Sequence, residues 1–410
     1  MEVRILINPI MNEQKISRKD IVKATLLSFK VSFYDFEEIV GISQTLYKFR
    51  PQIGNRISKI RGLKDEFASA LGVPNVRIIA PMTDGSVGIE VPNKQREIVP
   101  ISDIFETPEF RDAEMALPCA IGRTVTNEIF IADLARMPHL LVAGATGQGK
   151  SVGLNVMLMS LLRKKKPSEL KLVLIDPKKV ELSAYEKIAR PYITQMEGLP
   201  PVITEADHAQ LMLDGLCRLM EKRYTMLNQL GARNIEEYNA RCIDKMEYYV
   251  IVIDEFGDLV MQSGREMERL ICRLAQKARA VGMHLIISTQ RPDTKVVTGN
   301  IKANFPTRIA FRTTTGVDSR VILDQMGAEK LLGNGDMLYF SGAELVRVQC
   351  AYVSTKEVWD TCQRIGERYA DARPKVLRVI RPQAIDNDDY HAMFQEIFKR
   401  CGIKGLYSMY

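Results

Sequence analysis

The sequence predicts an α/β fold, a mainly parallel sheet covered on both faces by helices, with a small α+β unit ahead of it. Three observations carry that expectation. From about residue 104, short and nearly continuous apolar runs alternate with longer amphipathic stretches, the layout of strands joined by crossover helices. One run leads without a gap into Gly144-Ala145-Thr146-Gly147-Gln148-Gly149-Lys150-Ser151, which has the spacing G-x-x-x-x-G-K-[ST]. Another ends in Asp254-Glu255, a carboxylate pair where a buried strand leaves its sheet.

The chain of 410 residues is long enough for two or three domains, and 46% apolar with 26% charged residues is globular composition. No apolar run reaches the roughly 18–20 residues that cross a bilayer. Met1-Glu2-Val3-Arg4 lacks the layout of a secretory signal. The expectation is a soluble, cytoplasmic chain with no membrane segment, held at a membrane only if it belongs to a longer protein. Seven cysteines without a C-x-x-C pair, and four histidines that do not cluster, argue against a disulfide framework and a zinc site. A net charge of +7 suits a polyanionic partner without demonstrating one.

In chain order, Ile57, Ile60, Leu63, Phe67 and Leu71 recur at helical spacing and stop at Gly72, a C-cap residue. Two short strands, 76–80 and 87–91, flank the hairpin signal Asp84-Gly85, and Pro92 ends the second. Next come strands over 139–143, 172–175, 249–253 and 284–288, each an apolar run suited to a doubly covered sheet. Helices are expected over 151–163, 206–227 and 266–280. The last carries Met267, Leu270, Ile271, Leu274 and Ala278 on one face and ends at Gly282. The basic run Arg163-Lys164-Lys165-Lys166 reads as a helix C-terminus favoured by the dipole. Beyond residue 365 the chain is polar, with one short amphipathic helix around 390–399. The resulting division is 1–103, a small α+β domain; 104–365, the sheet domain; and 366–410, a polar tail.

The glycine-rich run is a phosphate loop by mechanics as well as spacing. Glycines let backbone N–H groups curl around phosphate oxygens, Lys150 reaches the β- and γ-phosphates of ATP, and the Ser151 hydroxyl takes a place on Mg²⁺. The following helix aims its positive end at the same anion. Asp254 would hold Mg²⁺ through its water shell, and Glu255 would orient and polarise the attacking water. Gln290 ends a further strand. From position alone it is an ordinary strand-end amide or a bridge between γ-phosphate and the rest of an assembly.

These residues resemble the FtsK/SpoIIIE family of DNA translocases. The resemblance runs from about residue 29 to 365. It includes Met137-Pro138-His139 before the phosphate loop, Ile175-Asp176-Pro177-Lys178 with Glu181-Leu182-Ser183, and Leu274-Ala275-Gln276-Lys277-Ala278-Arg279-Ala280. It continues through Thr289-Gln290-Arg291-Pro292, Ile301-Lys302-Ala303-Asn304, Asp318-Ser319-Arg320 and Gly327–Gly333, while Gly88–Asn93 looks like the family's α domain. The resemblance implies a P-loop NTPase of RecA-like type, a homo-hexameric ring, and double-stranded DNA in its channel. Arg279 would then be the arginine finger for a neighbour's γ-phosphate, although periodicity alone leaves it on a solvated helix face. Gln290 would be the polar sensor, and Arg291 and Lys302 would touch the DNA backbone. Thr313-Thr314-Thr315-Gly316-Val317 departs from a stretch that often carries a lysine. The family's membrane-spanning part and its winged-helix reader are not matched in these residues. The alternative is a related secretion ATPase that moves protein substrates. Basic channel residues such as Arg291 and Lys302 favour DNA over it.

Overall fold

A computed structural model of the chain describes residues 16–82, 84–342 and 344–377. The chain divides into two compact units: residues up to Glu97 with Val125–Glu128, and Ile98–Thr124 with the chain from Ile129 onward.

The first unit is built on an antiparallel sheet of β1 (Phe33–Val40), β2 (Gln44–Pro51), β3 (Arg77–Ile79) and β4 (Val87–Pro92), ordered β1-β2-β4-β3. Tyr47, Phe49 and Ile89 from its strands meet Val22, Leu26 and Phe67 from its helices in one core. β3 and β4 pair as the expected hairpin, with Ile79 opposite Gly88. The apolar run from Ile57 to Leu71 is not one helix but two, Ile57–Gly62 and Lys64–Leu71, parted at Leu63. Gly62 closes the first helix, where its backbone entropy weakens continuation, while Gly72 caps the second in the left-handed region as expected (φ 62°).

The second unit holds one ten-stranded sheet. Its strands are β5 (Pro118–Thr124), β6 (Ile129–Asp133), β7 (His139–Ala143), β8 (Leu170–Ile175), β10 (Val202–Ile203), β11 (Tyr248–Ile253), β12 (Met283–Thr289), β13 (Thr307–Phe311), β14 (Asp336–Phe340) and β15 (Leu345–Cys350). A separate parallel pair joins β9 (Thr194–Met196) to β16 (Lys375–Leu377). The order across the large sheet is β10-β8-β11-β12-β7-β13-β14-β15-β5-β6. From β10 to β13 every pairing is parallel, and the four strands expected from apolar runs stand side by side as β8-β11-β12-β7.

From β13 outward the sheet turns antiparallel, so it is mixed rather than parallel throughout. Apolar-run counting finds strands buried on both faces. The outer strands break that pattern with charge: Arg347 of β15 and Asp336 of β14 are both buried and form an ion pair (Nη2–Oδ2 2.7 Å).

Helices Ala206–Gln229 and Phe256–Lys277 cover one face, where Leu213, Leu216, Met220, Leu270 and Leu274 join β8, β11 and β12 in the main core. Helix Lys150–Lys164 is fixed to the antiparallel flank, its Ser160 hydroxyl accepting the Ala120 N–H of β5 (3.0 Å). The helix expected over 266–280 begins earlier, at Phe256, directly after Glu255. It breaks at Gly264 (φ 63°, ψ −143°) and gives way to a 3₁₀ turn, Ala278–Val281, capped by Gly282. Gly257 and Gly264 interrupt the apolar stripe, which hid the first turns.

Past residue 351 a helix, Thr355–Arg368, starts at a capping box made by Ser354 and Glu357. The helix expected around 390–399 lies outside the described residues. Among the described residues no helix is long and apolar enough to cross a membrane.

Candidate active site

β7 runs into the phosphate loop, and the loop into helix Lys150–Lys164. Two of its glycines are required by space. A Cβ on Gly144 would lie 2.6 Å from the Phe311 Cβ, and one on Gly149 (φ 113°) would lie 2.8 Å from the backbone nitrogen of Gly335. The loop is also propped from outside. The Gly335 N–H donates to the Gln148 carbonyl (3.0 Å), and the Ala145 N–H to the Arg312 carbonyl (3.0 Å). It is therefore preorganised by β13 and by the turn before β14.

The strand order decides which side chains meet there. β12 lies between β7 and β11, so the ends of the three strands bring Lys150, Asp254 and Gln290 to one edge of the sheet. Lys150, 3% exposed, donates to Asp254 Oδ1 (2.5 Å) and to the Ser288 hydroxyl (3.1 Å). Ser288 donates to the same Asp254 oxygen (2.5 Å). Asp254 is fully buried, and its Oδ2 has no hydrogen-bond partner. The Ser151 hydroxyl donates to Glu181 Oε1 (2.6 Å), which leaves its lone pairs free. An unpartnered carboxylate oxygen and a hydroxyl oxygen with its proton turned away are hard donors of the kind Mg²⁺ takes.

Glu255 departs from ordinary strand-to-helix geometry. Its backbone is left-handed (φ 50°, ψ 53°), which costs a residue with a Cβ about 1–2 kcal/mol. Its side chain is 1% exposed and fully engaged. Oε1 accepts the Thr289 hydroxyl (2.7 Å), Oε2 accepts the Lys178 ammonium (3.0 Å), and the Gln290 N–H is shared between both oxygens (3.2 and 3.1 Å). Gln290 also accepts the Thr146 hydroxyl on its side-chain oxygen (2.9 Å). One residue thus bonds the phosphate loop through its side chain and Glu255 through its backbone.

Arg279 stands elsewhere. It is exposed on the turn that precedes β12, at the opposite end of that strand from Gln290. The seven residues of β12 put roughly 20 Å between the two edges, beyond the reach of an arginine. Arg279 lines a cleft of about 550 Å³ with Arg136, Arg233, Tyr248 and His284, and no carboxylate pairs with it among the described residues. Arg291 is exposed immediately after Gln290. Lys302, on helix Gly299–Asn304, donates to Asp324 Oδ1 (2.6 Å), a carboxylate that Arg308 also holds (2.6 Å).

The segment after β8, to which the sequence assigns no role, is part of the site. Asp176 is fully buried and accepts the N–H groups of Lys178, Lys179, Val180, Glu181 and Leu182 (3.0–3.1 Å). That fixes the loop which carries Lys178 to Glu255 and Glu181 to Ser151. The signal was available: Asp176, like Asp254, is a carboxylate at the end of a continuous apolar strand. No group of His, Cys, Asp and Glu that could hold a metal by itself occurs among the described residues.

The FtsK/SpoIIIE family model matches residues 100–294 and the FtsK alpha domain model residues 8–93. The DNA translocase FtsK of Chlorobaculum tepidum is 43% identical over 358 residues, which cover 85% of this chain and 44% of that protein. That of Haemophilus influenzae is 42% identical over 384 residues, covering 85% of this chain and 71% of that protein. The chain thus spans less than half of one of these relatives and about seven-tenths of the other. Among solved structures, the pCW3 conjugation coupling protein TcpA, in its monomer form with ATPgS, is 26% identical with a TM-score of 0.60, over 86% of this chain and 99% of that one. The cytoplasmic domain of the Thermomonospora curvata type VII secretion ATPase EccC is 25% identical with a TM-score of 0.54, over 65% of this chain and 32% of that one.

Proposed function

The chain belongs to the FtsK/SpoIIIE family, and on that premise we propose that it is an ATP-hydrolysing motor that works as a homo-hexameric ring and moves double-stranded DNA. The observation that carries this reading is the meeting of Lys150, Ser151, Asp254, Glu255 and Gln290 at one edge of the sheet. Lys150 meets the β- and γ-phosphates of ATP, with the Gly144–Ser151 loop supplying backbone N–H groups. Ser151 and Asp254 would hold Mg²⁺, which neutralises charge on the phosphate oxygens when bound. Glu255 takes the proton of the attacking water, and its buried position excludes other water from that carboxylate. Gln290 couples the phosphate loop to Glu255.

Arg279 serves a neighbouring copy. A guanidinium about 20 Å from its own phosphate loop, and without a carboxylate partner among the described residues, suits the stabilisation of charge on another subunit's γ-phosphate. Arg291 follows Gln290 directly, so a contact between Arg291 and a DNA phosphate bears on the residue that bonds Glu255. Lys302 would join it by exchanging Asp324 for a phosphate.

The reading of a protein-moving secretion ATPase rests on the EccC likeness at 25% identity, against 42–43% for proteins named DNA translocases. ATP hydrolysis measured with and without linear duplex DNA separates the two. The DNA reading expects stimulation that declines steeply with salt. A rate indifferent to DNA at low salt would turn the assignment to protein substrates.

A further inference from the structure

Glu255 as the structure holds it cannot accept a proton from water. A carboxylate offers about four lone-pair sites. Here three donors, Thr289, Lys178 and the shared Gln290 N–H, engage both oxygens, and at 1% exposure water has no approach to what remains. One partner has to leave before water can bond to either oxygen. Gln290 donates through its backbone and cannot withdraw without moving the chain, while the Thr289 hydroxyl can turn to the Arg291 carbonyl (3.3 Å) but is fully buried, so its departure opens no path for water. Lys178 differs on each count. Its side chain is 38% exposed, its backbone is held by Asp176, and a second acceptor lies within reach: Asp258 Oδ2 is 4.0 Å from the same nitrogen, on a side chain 29% exposed.

We propose that Lys178 is a positioning residue that restrains Glu255, and that turnover requires its ammonium to pass from Glu255 to Asp258. The two acceptors are one helical turn apart in sequence, on the strand end and the first turn of helix Phe256–Lys277. The exchange therefore needs side-chain rotation only. It leaves the buried Glu255 carboxylate without a cation, held by Thr289 and Gln290 alone, a charge that the proton of the attacking water would neutralise. The loop itself stays fixed, because the five N–H groups on Asp176 hold its backbone. The released Oε2 is then the oxygen that receives the proton of the attacking water.

This rests on Glu255 as the water-polarising group, and the experiment separates the two ideas. Steady-state ATP hydrolysis by the full chain without DNA would be measured for Lys178→Met, Lys178→Arg, Asp258→Asn and Glu255→Gln. Lys178→Met, which keeps length and removes charge, should raise kcat at least about threefold with KM for ATP unchanged. Lys178→Arg should restore the restraint. Asp258→Asn removes the second acceptor and should lower kcat, opposite in sign to Lys178→Met, which loosening of the fold would not produce. A Lys178→Met kcat at or below wild type with an unchanged melting temperature overturns the restraint, and so does an Asp258→Asn rate that matches wild type. Glu255→Gln at the wild-type rate would instead remove the role given to Glu255 itself.

Discussion

Asp254 and Glu255 are neighbours with opposite surroundings, and that difference assigns their work. Asp254 keeps one buried oxygen without a partner, while Glu255 has none left. Glu255→Gln should therefore still bind ATP but turn over at least about 10²-fold more slowly, since only proton acceptance is lost. Fluorescent-nucleotide binding alongside hydrolysis checks this, and full turnover would refute the assignment. Lys150→Ala should abolish hydrolysis, yet it also strips the buried Asp254 of its cation, so a drop in melting temperature is expected with it. Asp176 has a structural task. Asp176→Ala leaves five loop N–H groups without their acceptor and should cost about 2–4 kcal/mol in urea unfolding; a loss under half of that would mean water replaces the carboxylate. At this scale the phosphate loop and Asp254-Glu255 were legible because each stands at the end of an apolar run. Lys178 was not legible as a partner, because its reach to Glu255 depends on how Asp176 folds a loop distant in sequence.

The strands that were legible, β8, β11, β12 and β7, are nearly continuous apolar runs, and they stand in the parallel part of the sheet. β14, β15, β5 and β6 were missed because polar residues and a glycine interrupt their apolar runs, among them Asp336, Arg347, Gly122 and Asp133, and Arg347 is buried against Asp336. The insertion of β12 between β11 and β7 is a matter of topology that strand periodicity does not contain, and it is what joins Gln290 to both Thr146 and Glu255. The same adjacency places His139, first in β7, beside His284, second in β12, with ring centroids 6.3 Å apart. Burial pushes His139 down to about 3, helped by the nearby His284, and pushes His284 down to about 4. Both pKa values fall on folding from the usual 6.5, so the unfolded chain binds more protons between about pH 4 and 6.5. Stability contributed by the neutral rings is whole above pH 6.5 and is lost as pH falls, at up to about 1.4 kcal/mol per pH unit for each histidine. Chemical unfolding at pH 7 and pH 5 should show that loss, and His139→Gln should flatten it. A variant with the wild-type slope would place the pH dependence on other groups.

For the molecule as a whole, the placement of Arg279 forces a question that one chain cannot answer alone. Its guanidinium and its phosphate loop occupy opposite edges of one sheet, about 20 Å apart along β12, so an arginine acting on γ-phosphate must act on another copy. Periodicity put Arg279 on a helix face, and the family resemblance made it a finger. The structure sets Arg279 on a 3₁₀ turn beside a cleft. Duplex DNA should stimulate such an assembly with a salt slope set by the phosphates it contacts, and removing Arg291 should lower that slope by about one without altering sequence preference. An unchanged slope would place the contacts on other residues. Arg279→Ala should reduce turnover about 10³-fold or more while sparing ATP affinity. That loss alone does not separate a cis role from a trans one, but mixing does. An Arg279→Ala subunit still offers a wild-type Lys150, and a Lys150→Ala subunit still offers a wild-type Arg279. In rings of both, about a quarter of the interfaces at equal mixing pair the two intact halves. If Arg279 acts in trans, hydrolysis should reappear on mixing two inactive proteins, up to about a quarter of the wild-type rate when interfaces work independently. If it acts in cis, every subunit lacks one half of its own site, and demonstrably mixed rings stay inactive.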